Sequence, residues 1–128
     1  MTWFEEPVTE LKRILVVDDE PDLLATCERL LRRQGYHVVV ASSCAEGLAA
    51  VSREQPHLVI SDLRLPDGDG LDVVRAARGL PDPAFVIVIT GYPSDQVRRA
   101  ALDAGATGFF AKPFAAAGLL DAISASLR

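Results

Sequence analysis

Short runs of β-branched and aliphatic residues alternate along this chain with longer stretches in which apolar positions recur every three or four residues. The short runs are Arg13-Ile14-Leu15-Val16-Val17, Tyr36-His37-Val38-Val39-Val40, Leu58-Val59-Ile60-Ser61, Phe85-Val86-Ile87-Val88-Ile89-Thr90 and Gly108-Phe109-Phe110-Ala111. This alternation predicts five strands separated by amphipathic helices, the pattern of repeated βαβ units. The first, third and fourth runs are almost wholly apolar, which is expected of central parallel strands covered on both faces.

The intervening stretches carry helix signals. Leu23, Leu24, Cys27, Leu30 and Leu31 recur at helical spacing after Pro21, a residue suited to a first turn, and Gly35 stops that helix. Ser43-Cys44-Ala45-Glu46 reads as a capping box opening the second helix. A third follows Asp69 through Leu71, Val73, Val74 and Ala77, and a fourth runs from Ser94-Asp95 through Val97, Ala100 and Ala101 to Gly105. The last begins just beyond Pro113 and uses Ala116, Leu119, Leu120 and Ile123.

Five strand-helix cycles predict an α/β fold of flavodoxin-like (βα)5 type, a doubly wound parallel sheet of strand order 2-1-3-4-5. Residues 1–11 read as a polar leader and residues 12–128 as one domain. In that order the binding crevice lies outside the carboxyl ends of strands one and three.

Composition narrows the function classes. The 128 residues are 49% hydrophobic and 24% charged, the balance of an ordinary globular domain with one core. A net charge of -5 offers no basic patch for phosphate neutralisation, so direct nucleic-acid binding is not expected. The apolar runs are far shorter than the roughly 20 residues a bilayer requires, and a cytoplasmic protein without a membrane segment is expected. Cys27 and Cys44 fall at core-facing helix positions, where free thiols behave as small hydrophobes. His37 and His57 stand singly, without partners at zinc-ligand spacing.

Chemistry gathers at the strand ends. The first strand finishes at Asp18-Asp19, the third at Asp62, the fourth at Thr90, and the fifth is followed by Lys112. Three packed carboxylates repel one another and call for a cation, and hard oxygen ligands with free positions suit Mg²⁺, which accepts phosphate oxygens. A carboxylate can itself be the nucleophile in phosphoryl transfer, with hydroxyl and ammonium donors holding the phosphoryl oxygens. Asp62, alone at its strand end, is the expected nucleophile, with Thr90 and Lys112 as donors. Asp67-Gly68-Asp69-Gly70 looks superficially like a calcium loop, but aligning Gly70 with the invariant glycine puts Leu65 first and Ala76 last, where carboxylates are required. It reads instead as a turn and cap.

On Ile14-Leu15-Val16-Val17-Asp18-Asp19-Glu20, Ser61-Asp62-Leu63-Arg64-Leu65-Pro66-Asp67-Gly68-Asp69-Gly70, Ile89-Thr90-Gly91 and Lys112-Pro113-Phe114, the chain resembles the receiver domains of two-component response regulators. The resemblance covers about residues 12 to 127. It implies that Asp62 is the phosphoacceptor and that Mg²⁺ is held by Asp19, Asp62 and the backbone carbonyl of Arg64, with Asp18 acting largely through water. It further implies a cis bond between Lys112 and Pro113, and a role for Glu20 at the start of the first helix.

The resemblance also implies a switch in which Thr90 moves inward and the aromatic residue at 109 changes rotamer. That residue is Phe109, which lacks the hydroxyl many relatives carry there. Arg64 and Tyr92, each two residues past a site residue, flank the water path and are expected to set how fast the phosphoryl group is lost. The implied function is a phosphoacceptor signalling switch, not an enzyme acting on other substrates, with slow autodephosphorylation. Its expected partners are a histidine kinase or phosphotransfer protein, and an output domain or second copy met through the fourth helix, fifth strand and fifth helix.

Overall fold

A computed structural model describes residues 11–128. The leader expected over residues 1–11 therefore lies, apart from Leu11, outside the described residues. The elements in chain order are β1 (Arg13–Val17), α1 (Pro21–Arg33), β2 (His37–Ala41), α2 (Cys44–Glu54), β3 (Leu58–Asp62), β4 (Arg64–Leu65), β5 (Gly68–Asp69), α3 (Gly70–Arg78), β6 (Phe85–Thr90), α4 (Asp95–Asp103), β7 (Gly108–Ala111) and α5 (Ala116–Ser126).

Five strands form one parallel sheet in the order β2-β1-β3-β6-β7, which is 2-1-3-4-5 when these five alone are counted. The fold is thus flavodoxin-like, as the alternating pattern predicts. The sheet interior falls on β1, β3 and β6, the three runs read as apolar throughout, and their residues from Ile14, Leu58 and Val86 onward are all buried.

Because successive strand residues point to opposite faces, each strand feeds two cores. Leu15, Val17, Val59, Val86 and Val88 pack with Val51, Val73, Val74, Ala77 and Ala101 of α2, α3 and α4. Ile14, Val16, Leu58, Ile60, Ile87 and Ile89 pack with Leu24, Cys27 and Leu31 of α1 and with Leu119 and Ile123 of α5. Burying each such aliphatic side chain contributes on the order of 1.5–3 kcal/mol. Both cysteines are free and buried, in keeping with their reading as core residues.

The helix ends follow their sequence signals. Ser43 Oγ accepts from the Glu46 N–H at 3.1 Å, and Ser94 Oγ accepts from the Val97 N–H at 3.0 Å. Gly35 and Gly105, with φ of +91° and +111°, follow α1 and α4 in the left-handed region that strains other residues.

One small element escapes the periodicity. Arg64–Leu65 and Gly68–Asp69 pair as an antiparallel hairpin between β3 and α3. At two residues per strand it is too short to leave an alternating signal. It fixes two helix ends at once: Asp69 Oδ1 accepts from the Leu71 N–H at 2.9 Å, capping α3, while Asp67 accepts from the N–H groups of Cys44 at 2.7 Å and Ala45 at 3.0 Å, capping α2 from across the fold. Those backbone donors hold the Asp67 carboxyl below its ordinary value.

Gly70 begins α3 against the backbone of β3. A Cβ there would run into the carbonyl oxygen of Asp62 and come within 2.7 Å of Leu63 Cα. Neither neighbour is a flexible side-chain tip, so Gly70→Ala should displace Asp62 or α3. A loss of about 2–3 kcal/mol, the upper range for overpacking, is expected as a lower midpoint in urea unfolding.

Asp67→Ala should lower thermal stability at neutral pH. The native carboxyl titrates below the unfolded value near 3.8, so its contribution is present above that value and lost as pH falls through the native one. Melting curves of the two proteins should therefore converge below about pH 3.8.

Candidate functional site

The crevice predicted between the first and third strands is the acidic end of the sheet. Asp18 follows β1 and donates its backbone N–H to the Ala41 carbonyl at 3.1 Å, while Asp62 ends β3. Thr90 ends β6, and the Lys112 N–H beyond β7 reaches the Thr90 carbonyl at 2.7 Å. Backbone pairing thus delivers all four side chains to one edge. Among the described residues the buried polar ones are Asp18, Ser61, Asp62 and Thr90, so three of the four belong to this edge.

Lys112 occupies the centre. Its Nζ lies 2.8 Å from Asp18 Oδ2, 3.1 Å from Asp62 Oδ2 and 3.0 Å from Glu20 Oε1. Burial opposes the charged ammonium, but the hydrogen bonds and ion pairs with these carboxylates outweigh it and push the lysine above its ordinary range. The Lys112-Pro113 bond is cis, as the resemblance implies.

The carboxylates differ in environment. Asp18 has no exposed surface, and its Oδ1 accepts from the Glu20 N–H at 2.9 Å. Burial raises the Asp18 carboxyl above its ordinary value, against the lowering effect of Lys112 and the Glu20 N–H. The lysine's 2.8 Å approach to Asp18 Oδ2 offsets part of that burial. Asp62 Oδ1 accepts from the Arg64 N–H at 3.2 Å. Asp19 is exposed, and Asp18, Asp19 and Asp62 each bring a carboxylate oxygen within 4.8 Å of the others. Three convergent carboxylates, one of them fully buried, fit a divalent cation of hard character.

The remaining expected residues lie around this centre. Thr90 Oγ1 accepts from the Tyr92 N–H at 3.1 Å. The Arg64 guanidinium sits over the Tyr92 ring, with Cζ 3.9 Å from its centroid. Phe109 is half-buried and packs against the core shared with α4. Phe114 packs edge-on to Phe110, centroids 6.3 Å apart.

Glu20 differs from its reading as a helix-start residue. It does occupy the N-cap position of α1, but its side chain makes no cap bond and reaches Lys112 instead. The two residues are 92 positions apart, a contact that no local pattern encodes.

With this geometry in view, the chain matches the response regulator receiver domain family over residues 14–124, and it belongs to that family. It is 39% identical over 116 residues to the transcriptional regulatory protein PrrA of Mycobacterium tuberculosis, covering 91% of this chain and 50% of the relative. The chain therefore spans about half the length of the curated relatives it matches first.

Among solved structures, a CheY-like receiver domain protein from Methanospirillum hungatei JF-1 superposes with a TM-score of 0.87 at 36% identity, over 92% of this chain and 94% of that one. A response regulator from Burkholderia pseudomallei, solved with a phosphorylated aspartic acid, a calcium ion and citrate, has a TM-score of 0.78 at 32% identity. That match covers 91% of this chain and 66% of the other. Another relative, the response regulator MprA of Mycobacterium leprae, is 40% identical over 116 residues, covering 91% of this chain and 51% of the relative. Among the described residues no helix is long and apolar enough to cross a membrane.

The raised Asp18 carboxyl has a stability consequence. A carboxyl whose native pKa lies above its unfolded value favours folding most below the unfolded value, and that advantage is lost as pH rises through the native one. In metal-free buffer at neutral pH, the near-isosteric Asp18→Asn should therefore melt above the wild type. The gap should shrink as the wild-type carboxyl is protonated in acid, and thermal melts in chelator across pH will measure it.

Proposed function

We propose that this receiver domain is a phosphoacceptor switch in which Asp62 takes a phosphoryl group from a histidine kinase or phosphotransfer protein. The carrying observation is the cluster of Asp18, Asp19 and Asp62 around one crevice, with the Lys112 ammonium bound to two of them. That donor set answers the needs of phosphoryl transfer, where the protein chiefly positions groups and offsets charge.

In the proposed reaction a carboxylate oxygen of Asp62 forms a bond to phosphorus while the bond from phosphorus to the donor's nitrogen breaks. The leaving imidazole departs with the electron pair. Lys112, already 3.1 Å from Asp62 Oδ2, donates to one phosphoryl oxygen, and the Thr90 hydroxyl donates to another. Mg²⁺, held by Asp19, Asp62 and the Arg64 carbonyl and by Asp18 largely through water, would neutralise phosphoryl charge when bound.

Slow autodephosphorylation reverses the mark. Water attacks phosphorus, the bond to the Asp62 oxygen breaks, and the carboxylate and inorganic phosphate are released. Arg64 and Tyr92 flank the approach of that water. The domain acts on no other substrate in this reading.

The consequence of phosphorylation is a population shift between two surfaces. Thr90 turns inward, Phe109 changes rotamer by packing alone, and the face of α4, β7 and α5 meets an output domain or a second copy. A groove of about 710 Å³ between α1 and α5, with Lys112 at one end, gives a phosphodonor protein an apolar surface beside the site. The proposed setting is the cytoplasm, where such kinases present phosphohistidine.

Incubation with acetyl phosphate and Mg²⁺ should add one phosphoryl group, stable in acid and labile in base, as read by intact mass. Asp62→Ala should abolish it, and chelation of Mg²⁺ should suppress it. An unmodified wild type would sink the switch reading.

A further inference from the structure

Arg64 and Tyr92 each sit two residues beyond a group of the site, and the structure ties the two together. The Arg64 N–H donates to Asp62 Oδ1 at 3.2 Å, and the Tyr92 N–H donates to Thr90 Oγ1 at 3.1 Å. The side chains then meet, guanidinium over ring, at 3.9 Å. Asp62, Arg64, Tyr92 and Thr90 are thus linked in a chain of contacts, in which the stack joins the β4–β5 hairpin to the loop after β6.

The stack is placed to hold a movable segment. Tyr92 is 63% exposed, so core packing does not fix its ring, and Gly91 before it has open space where a Cβ would be. Beneath the stack lies a pocket of about 160 Å³ walled by Leu63, Leu71, Thr90, Val97 and Ala100. This gives the loop between β6 and α4 room to shift toward the hairpin that carries Arg64.

We infer that the Arg64–Tyr92 stack is a latch that positions Thr90: it clamps the loop after β6 and keeps the Tyr92 amide on the Thr90 hydroxyl. Turning Thr90 toward a phosphoryl oxygen carries its hydroxyl away from the Tyr92 N–H, so the latch opposes the switched state until Asp62 is modified. This rests on the proposed switch, but the latch itself exists in the unmodified protein. An exposed cation–π contact biases an equilibrium about two- to fivefold, enough to tune a switch without locking it.

Arg64 and Tyr92 are positioning residues in this scheme, and pairing makes a sharp demand. Once one partner is gone, removing the other should do nothing more.

The test is amide hydrogen exchange of the full unmodified chain, comparing wild type with Arg64→Ala, Tyr92→Leu and the double variant. Each single change should speed exchange in residues 90–97 by about two- to fivefold, and the double variant should match the singles. Tyr92→Phe, which keeps the ring face, should behave as wild type. Additive effects, unchanged exchange, or a Tyr92→Phe indistinguishable from Tyr92→Leu would overturn the latch.

A second readout is the fraction phosphorylated at a fixed sub-saturating acetyl phosphate concentration. It should rise in both singles without rising further in the double variant, and a fall or an additive rise would also count against the latch. Exchange in the unmodified chain needs no phosphoryl transfer. Failure of Asp62 to accept phosphate would therefore leave the latch measurable, and the two ideas can fail separately.

Discussion

The Lys112 ammonium is the interaction on which the acidic end of this domain depends. Asp18 has no exposed surface and Asp62 almost none, yet both are carboxylates converging on one crevice with Asp19 nearby. Buried like charges are costly unless paired. The lysine reaches Asp18, Asp62 and Glu20 together because β7 ends beside β6 and its next residue is tied by backbone to Thr90. The sheet order thus has an electrostatic consequence, bringing a cation from near the end of the chain onto carboxylates from its beginning and middle.

The same arrangement separates stability from chemistry. Two apolar cores, one on each face of the sheet, hold β1, β3 and β6 rigid regardless of what happens at their ends. That packing lets the crevice keep a fully buried, raised Asp18 carboxyl, a feature a domain selected for stability alone would remove. Segments beyond the strand ends are held to the site by single hydrogen bonds and one stacking contact.

Much of this was legible in the residues themselves. β1, β3 and β6 are nearly continuous apolar runs, so their central place and their order followed from periodicity and handedness. The strand-end positions of Asp18, Asp62 and Thr90, and of Lys112 just after the last strand, followed in turn. What was not legible depends on contacts between segments distant in sequence. Glu20 looked like a helix-start residue because only the folded chain brings Lys112 to it. Asp67 read as a turn residue, and its cap on α2 needs a helix 22 or more residues earlier to dock beside it. The two-residue strands β4 and β5 are shorter than any periodicity can register, and the Arg64–Tyr92 stack joins that hairpin to the loop after β6.

The close approach at Gly70 bears on how this domain can diverge. With the first residue of α3 seated against the Asp62 carbonyl, no side chain intervenes between the helix and the backbone of the strand that ends in Asp62. A lineage cannot adjust the tilt of α3 by exploring substitutions at position 70, since the first step from glycine already collides. Variation in how that helix sits must come from its flanks, at Asp69 or Leu71, and the stretch from the phosphoacceptor candidate to α3 is expected to be inherited as a unit.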